Sequence, residues 1–110
     1  LEVNVSGEAS KDGISPEELN ELAAAAAAAD HVTWQGLMTM APLGADAAVL
    51  DRVFSTLRDL ELELRERFAL PLPELSMGMS GDFTDAIRCG STIVRIGTAI
   101  FGMRNYGVRV

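Results

Sequence analysis

Several residue types on which catalytic and metal sites depend are nearly missing from this sequence. Its 110 residues include one cysteine, Cys89, and one histidine, His31. One cysteine cannot form an internal disulfide, and one histidine with one cysteine cannot build a zinc site or a Ser-His-Asp set. The single cysteine, with no signal peptide visible, predicts a reducing cytoplasmic location. The chain opens at Leu1 without an initiating methionine, so a lost N-terminal signal stays the alternative.

Positive charge and long apolar runs are also scarce. Nine Lys and Arg residues stand against 16 Asp and Glu, which gives a net charge of -7. Such a surface repels a nucleic-acid polyanion. The longest small apolar run, 23–29, is far shorter than the roughly 20 residues that span a bilayer, and it follows several glutamates. We therefore expect a protein that binds neither nucleic acid nor membrane.

Four strand-helix pairs are predicted along the chain, which at 48% hydrophobic residues suffices for one small domain or a piece of a larger one. Ser15-Pro16-Glu17-Glu18 has the pattern of a capping box and predicts the first helix start. The predicted strands are 1–5, 33–40, 75–79 and 92–96, and the predicted helices are 15–29, about 45–64, 82–89 and 98–101. Alternating strands and helices indicate parallel βα units, so the predicted class is α/β. Four units are half of a (β/α)8 barrel of about 250 residues, and the pattern leaves open an open sheet or a barrel fragment.

Two glycine-containing turns, 76–82 and 94–102, lie where the last two strands end and helices begin. Backbone N-H groups at such junctions have no helical partner, and glycine lets an oxyanion approach the main chain. In barrels, a phosphate site is often built from the loops after the last two strands. Ser80 and Thr98 would add hydroxyl donors. The alternative, that the glycines only permit tight turns, stays open.

Arg95 lies inside the apolar run Ile93-Val94-Arg95-Ile96. A cation in such a run must be paired or hydrogen-bonded. Two partners for Arg95 stay open, an acidic neighbour in a structural salt bridge and a bound ligand. Its position two residues before Gly97 favours the ligand.

Four segments of the sequence carry a recognisable pattern in their order and spacing. They are 3–8 (Val-Asn-Val-Ser-Gly-Glu) with Lys11 and Gly13, 36–38 (Gly-Leu-Met), 76–80 (Ser-Met-Gly-Met-Ser) and 90–102 (Gly-Ser-Thr-Ile-Val-Arg-Ile-Gly-Thr-Ala-Ile-Phe-Gly). Together they resemble the YggS/PROSC family of pyridoxal phosphate homeostasis proteins. The resemblance covers nearly all of residues 1–110 and implies the C-terminal half, strands five to eight, of the (β/α)8 barrel shared with the alanine racemase N-terminal domain. The N-terminal half would be absent from this chain.

The resemblance also implies which residues bind pyridoxal 5'-phosphate. Ser80, the backbone around Met79, Gly97 and Thr98 would hold the phosphate, and Arg95 would face the pyridine nitrogen. An arginine there disfavours protonation of the nitrogen, so the ring is a weaker electron sink than one that faces an aspartate. That property suits storage and transfer of the cofactor better than catalysis.

The implied function is a non-enzymatic cytoplasmic protein that keeps pyridoxal phosphate available. The Schiff-base lysine of the family is expected in the missing N-terminal half, and Lys11, the only lysine here, is not assigned that role. Two alternatives stay open. A racemase of the alanine-racemase type needs a second acid/base tyrosine, and Tyr106 is the only tyrosine. Another phosphate-binding barrel enzyme needs a carboxylate or lysine at a strand end.

A half-barrel leaves two strand edges and, as we expect from the sequence, an apolar inner face uncovered. The expected partners are therefore the cofactor or phosphate, and either the missing half or a second copy of the chain.

Overall fold

A computed structural model describes residues 1–9 and 12–102 of the chain. Its sheet has three parallel strands in the order β1-β2-β3. The strands are β1 (Gly36–Met38), β2 (Glu74–Met79) and β3 (Ile93–Arg95). The helices are α1 (Leu19–Ala28), which follows a 3-10 turn at Pro16–Glu18, α2 (Ala47–Phe68), α3 (Phe83–Arg88) and α4 (Thr98–Phe101). The α/β class and the parallel sheet predicted from the sequence are confirmed.

The first predicted strand, 1–5, pairs with the sheet through one isolated bridge and makes a second bridge to a residue outside the sheet. Glu2 bridges Met38, and Val3 bridges Ile14. The Val3 N-H donates to the Met38 carbonyl at 2.8 Å. The Val3 carbonyl, however, accepts a hydrogen bond from the side-chain hydroxyl of Thr39 at 2.6 Å. In a regular strand this carbonyl would accept from a main-chain N-H. The segment therefore lies parallel beside β1 but is shorter than the predicted strand.

Helical structure begins at Pro16, as predicted, but as a 3-10 turn, and the predicted capping box does not form. The Ser15 hydroxyl donates to the Glu18 carboxylate at 3.1 Å and caps no helical N-H. The chain makes a 3-10 turn there, and α1 begins three residues later than Pro16. At α2 the cap is Asp46, whose carboxylate accepts from the Val49 N-H at 3.0 Å, in the usual N-cap manner.

One face of the sheet is buried against α2 and the other is open. In a parallel pair, residues in register point to the same side, so Leu37 and Leu75 share the buried face. They pack in one core with Met77 and with Phe54 and Leu57 of α2, all of them shielded from solvent. The buried apolar residues of α2, among them Val53, Leu57 and Leu64, thus form the face of the helix that covers the sheet.

The open face carries the register partners Met38, Ser76 and Ile93, followed along β3 by Arg95. These residues are half-buried or exposed, and 42% of Ile93 is accessible to solvent. The face mixes a thioether, a hydroxyl, an aliphatic side chain and a guanidinium. The face predicted to be apolar is therefore mixed, since Met38 and Ile93 are apolar and Ser76 and Arg95 are polar.

A charged cluster ties α3 to α2. The Arg88 guanidinium donates to Asp51 of α2 at 3.2 Å and also pairs with Asp85 of α3. The hydrogen bonds that Arg88 donates to these two carboxylates, first Asp51 and then Asp85, raise the pKa of Arg88 above its ordinary value. Among the helices of the described residues, none combines the length and hydropathy that a bilayer span requires.

Candidate functional site

The carboxyl ends of the three strands meet at one edge of the sheet, where three connecting segments lie side by side. β1 leads through residues 39–46 to α2, β2 leads through 80–82 to α3, and β3 leads through 96–97 to α4. Parallel α/β proteins place ligands at this edge, because backbone groups that lie beyond the strands are free there. All five residues predicted to contact the cofactor lie at this edge or next to it.

The Ser80 hydroxyl joins the two predicted phosphate-binding turns. Its oxygen accepts from the N-H of Gly97 and from the N-H of Ala99, each at 3.1 Å. Both N-H groups belong to the start of α4 and have no partner within that helix. A phosphate oxygen is an acceptor of the same kind as the serine oxygen. The two turns are therefore in direct contact at a pair of donors that an anion could use.

Met79 and Asp82 close the turn after β2. The Met79 N-H donates to the Asp82 carboxylate at 2.8 Å, and the Asp82 N-H donates to the Met79 carbonyl at 3.1 Å. The predicted donation from the backbone around Met79 would therefore have to compete with the Asp82 carboxylate. Just before the turn, Gly78 has a φ of 107°, and a Cβ there would lie 2.8 Å from the Ala86 Cβ. Only glycine fits that position.

A cavity of about 510 Å³ opens beside this turn. Its polar wall contains four of the five predicted site residues, Met79, Ser80, Gly97 and Thr98. Its apolar lining is the segment Met40–Ala45 together with Leu50. The volume lies in the range of small-molecule sites in proteins, about 300–1,000 Å³. Sequence reasoning missed the apolar wall because no polar or charged residue in 40–45 distinguishes it from an ordinary loop.

Arg95 does not line this cavity; its side chain crosses β2 instead. Its Nη2 donates to the main-chain carbonyl of Thr39, at the end of β1, at 3.0 Å. Its Nε is shielded from solvent and makes no hydrogen bond within the described residues. No ion pair to Arg95 occurs in the described ranges 1–9 and 12–102, so the structural salt bridge, one of the two readings of this arginine, is not found there. The ligand contact stays a prediction.

These observations fit a phosphorylated ring compound in two respects. The phosphate would find two adjacent N-H groups and two hydroxyls, those of Ser80 and Thr98, at the polar wall. The Arg95 Nε is a buried donor without a partner among the described residues, and a donor that stays unpaired costs about 1–3 kcal/mol. An acceptor that reached this guanidinium would relieve that cost.

Other chemistry-bearing residues lie elsewhere. Two residues considered above fall outside the described residues. They are Lys11, which was not assigned the role of Schiff-base lysine, and Tyr106, the tyrosine considered for a racemase. Within the part of the chain that the structure describes, no three His, Cys, Asp or Glu residues are close enough together to hold a metal ion.

Comparison with known protein families places these features in a wider group. The model of the family described as "Alanine racemase, N-terminal domain" matches residues 1–105. The pyridoxal phosphate homeostasis protein of Pseudomonas aeruginosa is 49% identical over 107 residues, which are 97% of this chain and 45% of that protein. The protein of the same name from Aquifex aeolicus is 46% identical over 106 residues, 96% of this chain and 46% of that protein. The chain thus spans about half the length of the curated relatives it matches.

Solved structures agree with the sequence comparison. PipY, a COG0325 family member from Synechococcus elongatus solved without PLP, superposes with a TM-score of 0.86 at 37% identity, covering 93% of this chain and 48% of PipY. The form of PipY with PLP bound superposes with a TM-score of 0.73 at 34% identity, covering 93% and 47%.

Proposed function

The chain belongs to the alanine racemase N-terminal domain family, and from that membership we propose that it binds pyridoxal 5'-phosphate and serves in the intracellular homeostasis of this cofactor. The resemblance predicted from its motifs is confirmed, since curated relatives at 42–49% identity carry the name pyridoxal phosphate homeostasis protein. PipY, which shares the fold at 34–37% identity, has been solved with PLP bound. Because the chain covers about half of these proteins, its own activity rests on the site described above.

We further propose that the chain forms strands five to eight of a (β/α)8 barrel, its C-terminal half. Segment 1–5, β1, β2 and β3 are each followed by helical structure, which makes four βα units. The open face of the sheet, with Met38, Ser76 and Ile93 partly exposed, supports this arrangement. In a closed barrel that face lines the interior and is covered by the other strands.

The contact that carries the proposal is the Ser80 hydroxyl on the N-H groups of Gly97 and Ala99. A phosphate at this place would accept from those two N-H groups, from the Thr98 hydroxyl and from the Ser80 hydroxyl turned towards it. Charge-assisted hydrogen bonds of this kind are about twice as strong as neutral ones. When bound, pyridoxal 5'-phosphate supplies an aldehyde and an electron-withdrawing ring. The chain's own residues hold its phosphate and limit what the ring can do.

Arg95 is the residue that would limit the ring. A guanidinium has five donors and no acceptor, and it keeps its proton under all conditions in a protein. Placed against a pyridine nitrogen, it can donate a hydrogen bond but cannot stabilise a protonated nitrogen. A ring held in this way withdraws electrons weakly. We therefore assign the protein to cofactor storage and transfer, with no catalysis of its own, in the reducing cytoplasm that its single cysteine favours.

Titration of the full-length gene product that contains this chain tests the proposal. Pyridoxal 5'-phosphate should bind and quench intrinsic fluorescence or shift the cofactor absorbance, and pyridoxal, which lacks the phosphate, should bind much more weakly. Equal affinity for the two compounds would show that the protein does not bind the phosphate group. Formation of D-amino acids above the rate of free cofactor would replace the homeostasis function with the racemase alternative. Turnover of another phosphorylated substrate would replace it with the other alternative, a phosphate-binding barrel enzyme.

A further inference from the structure

Thr39 connects three separate parts of the chain at the end of β1. It is fully shielded from solvent. Its N-H donates to the Ser76 carbonyl of β2 at 3.1 Å, and its hydroxyl donates to the Val3 carbonyl at 2.6 Å. Its own carbonyl accepts from Arg95 at 3.0 Å. Each hydrogen-bonding group of this one residue thus holds a different segment.

The contact between Thr39 and Arg95 spans 56 residues of sequence and crosses the middle strand. It is the single hydrogen bond that the guanidinium makes to a described residue, since the Arg95 Nε is unpartnered. The direction of the guanidinium therefore depends on where the Thr39 carbonyl lies. That carbonyl is fixed from both sides, by the N-H bond to β2 and by the hydroxyl bond to Val3.

We propose that Thr39 is a positioning residue for the cofactor ring, acting through its carbonyl on Arg95. The proposal rests on the function proposed above, in which Arg95 faces the pyridine nitrogen. The hydroxyl of Thr39 is the part that can be removed by substitution. Main-chain bonds join segment 1–5 to β1 as far as Met38, and the bond from the Thr39 hydroxyl to Val3 extends this contact to Thr39 itself. Without that bond the Thr39 carbonyl is held from one side, and the guanidinium loses its fixed direction.

The test compares Thr39→Val with Thr39→Ser in the full-length protein. Valine keeps the shape and removes the hydroxyl, and serine keeps the hydroxyl. We expect Thr39→Val to weaken pyridoxal 5'-phosphate binding about three- to tenfold, the usual range for one lost hydrogen bond, and to shift the absorption maximum of the bound cofactor. We expect Thr39→Ser to restore both to the values of the unaltered protein. Thr33→Val, at an exposed position before β1, is the matched control and should change neither.

A double-mutant cycle with Arg95→Met separates positioning from general destabilisation. If Thr39 acts through Arg95, Thr39→Val should have no further effect on affinity or absorbance once Arg95 is methionine. Additive effects, or a serine variant no better than valine, would overturn the inference while leaving the proposed function intact. If the valine variant does not fold, Thr39→Cys, with its weaker donor, should bind the cofactor more weakly than the unaltered protein and shift its absorption maximum, and a spectrum equal to that of the unaltered protein would overturn the inference. Failure of the unaltered protein to bind the cofactor would instead overturn the proposed function and this inference with it.

Discussion

Substitution of Ser80 and Thr98 should reveal how the phosphate is held, because the two hydroxyls start from different states. The Ser80 oxygen already accepts from two N-H groups at 3.1 Å. The Thr98 hydroxyl makes no hydrogen bond to any of the described residues and lines the same cavity. A phosphate that approaches the N-H groups must displace the Ser80 oxygen but need not displace anything from Thr98.

The expected magnitudes follow from that difference. A hydrogen bond to a charged group contributes about 1.5–3 kcal/mol, so Thr98→Val should weaken binding of pyridoxal 5'-phosphate by about 10- to 150-fold. Ser80→Ala also loses a hydrogen bond to the phosphate, but this loss is partly offset. In the variant, the phosphate no longer has to displace a serine oxygen from the two N-H groups. That release is worth roughly 1 kcal/mol. The net loss for Ser80→Ala should be about 1 kcal/mol, or roughly fivefold.

Calorimetric titration of the full-length variants with pyridoxal 5'-phosphate and with pyridoxal measures both effects. The affinity for pyridoxal should change little in either variant, since neither hydroxyl is expected to touch the ring. A loss for Ser80→Ala greater than that for Thr98→Val would contradict the displacement step. Equal losses for pyridoxal and for its phosphate would show that the two hydroxyls do not hold the phosphate.

Three further predictions concern the fold that supports the site. Gly78→Ala should lower the free energy of unfolding by about 2–4 kcal/mol in a urea titration, because its φ is 107° and the new Cβ would lie 2.8 Å from the Ala86 Cβ. The control is Gly81→Ala, where a Cβ meets nothing within 4 Å. It should change the free energy of unfolding by under about 0.5 kcal/mol. Asp46→Ala should cost about 1 kcal/mol in the same titration by removing the cap on Val49, and no change would mean that the cap does not form in solution. The 110-residue chain alone should sediment as a dimer or larger species, because its sheet face is open; a monomer would contradict the expected self-association.

The order of the elements could be predicted because each has a strong local pattern. Apolar residues recur at spacings of three and four over 49–64 in α2, and Gly90, which has a φ of 104°, follows the end of α3. Strand lengths could not be predicted in the same way. Residues 33–40 are apolar enough for a long strand, but only Gly36–Met38 pairs as one. Pairing depends on which neighbours lie in register, and local composition does not contain that information.

The site was predictable where neighbouring turns build it and unpredictable where distant residues meet. Ser80, Gly97 and Thr98 could be identified because a turn after each of the last two strands must lie at the same edge of a parallel sheet. The partner of Arg95 is a main-chain carbonyl 56 residues away, and any residue can supply such a group. The engagement of the Met79 N-H by Asp82 was likewise missed, because it depends on the backbone conformation of the turn.

The proposed site has two tasks, to bind the phosphate and to orient the ring. The first depends on contacts between neighbouring turns and the second on contacts between distant residues. The proposed phosphate site joins Ser80 to residues 17 and 19 positions later in the chain. The two turns follow adjacent strands, so their contact should persist when the outer part of the sheet shifts. The arginine proposed to face the ring depends on Thr39, and through it on segment 1–5 at the far side of β1. A displacement of that segment would therefore loosen the ring while the phosphate stayed bound. Pyridoxal, which has only the ring, should then be the ligand more sensitive to Thr39→Val and less sensitive to Ser80→Ala, because the two substitutions act on opposite ends of the cofactor.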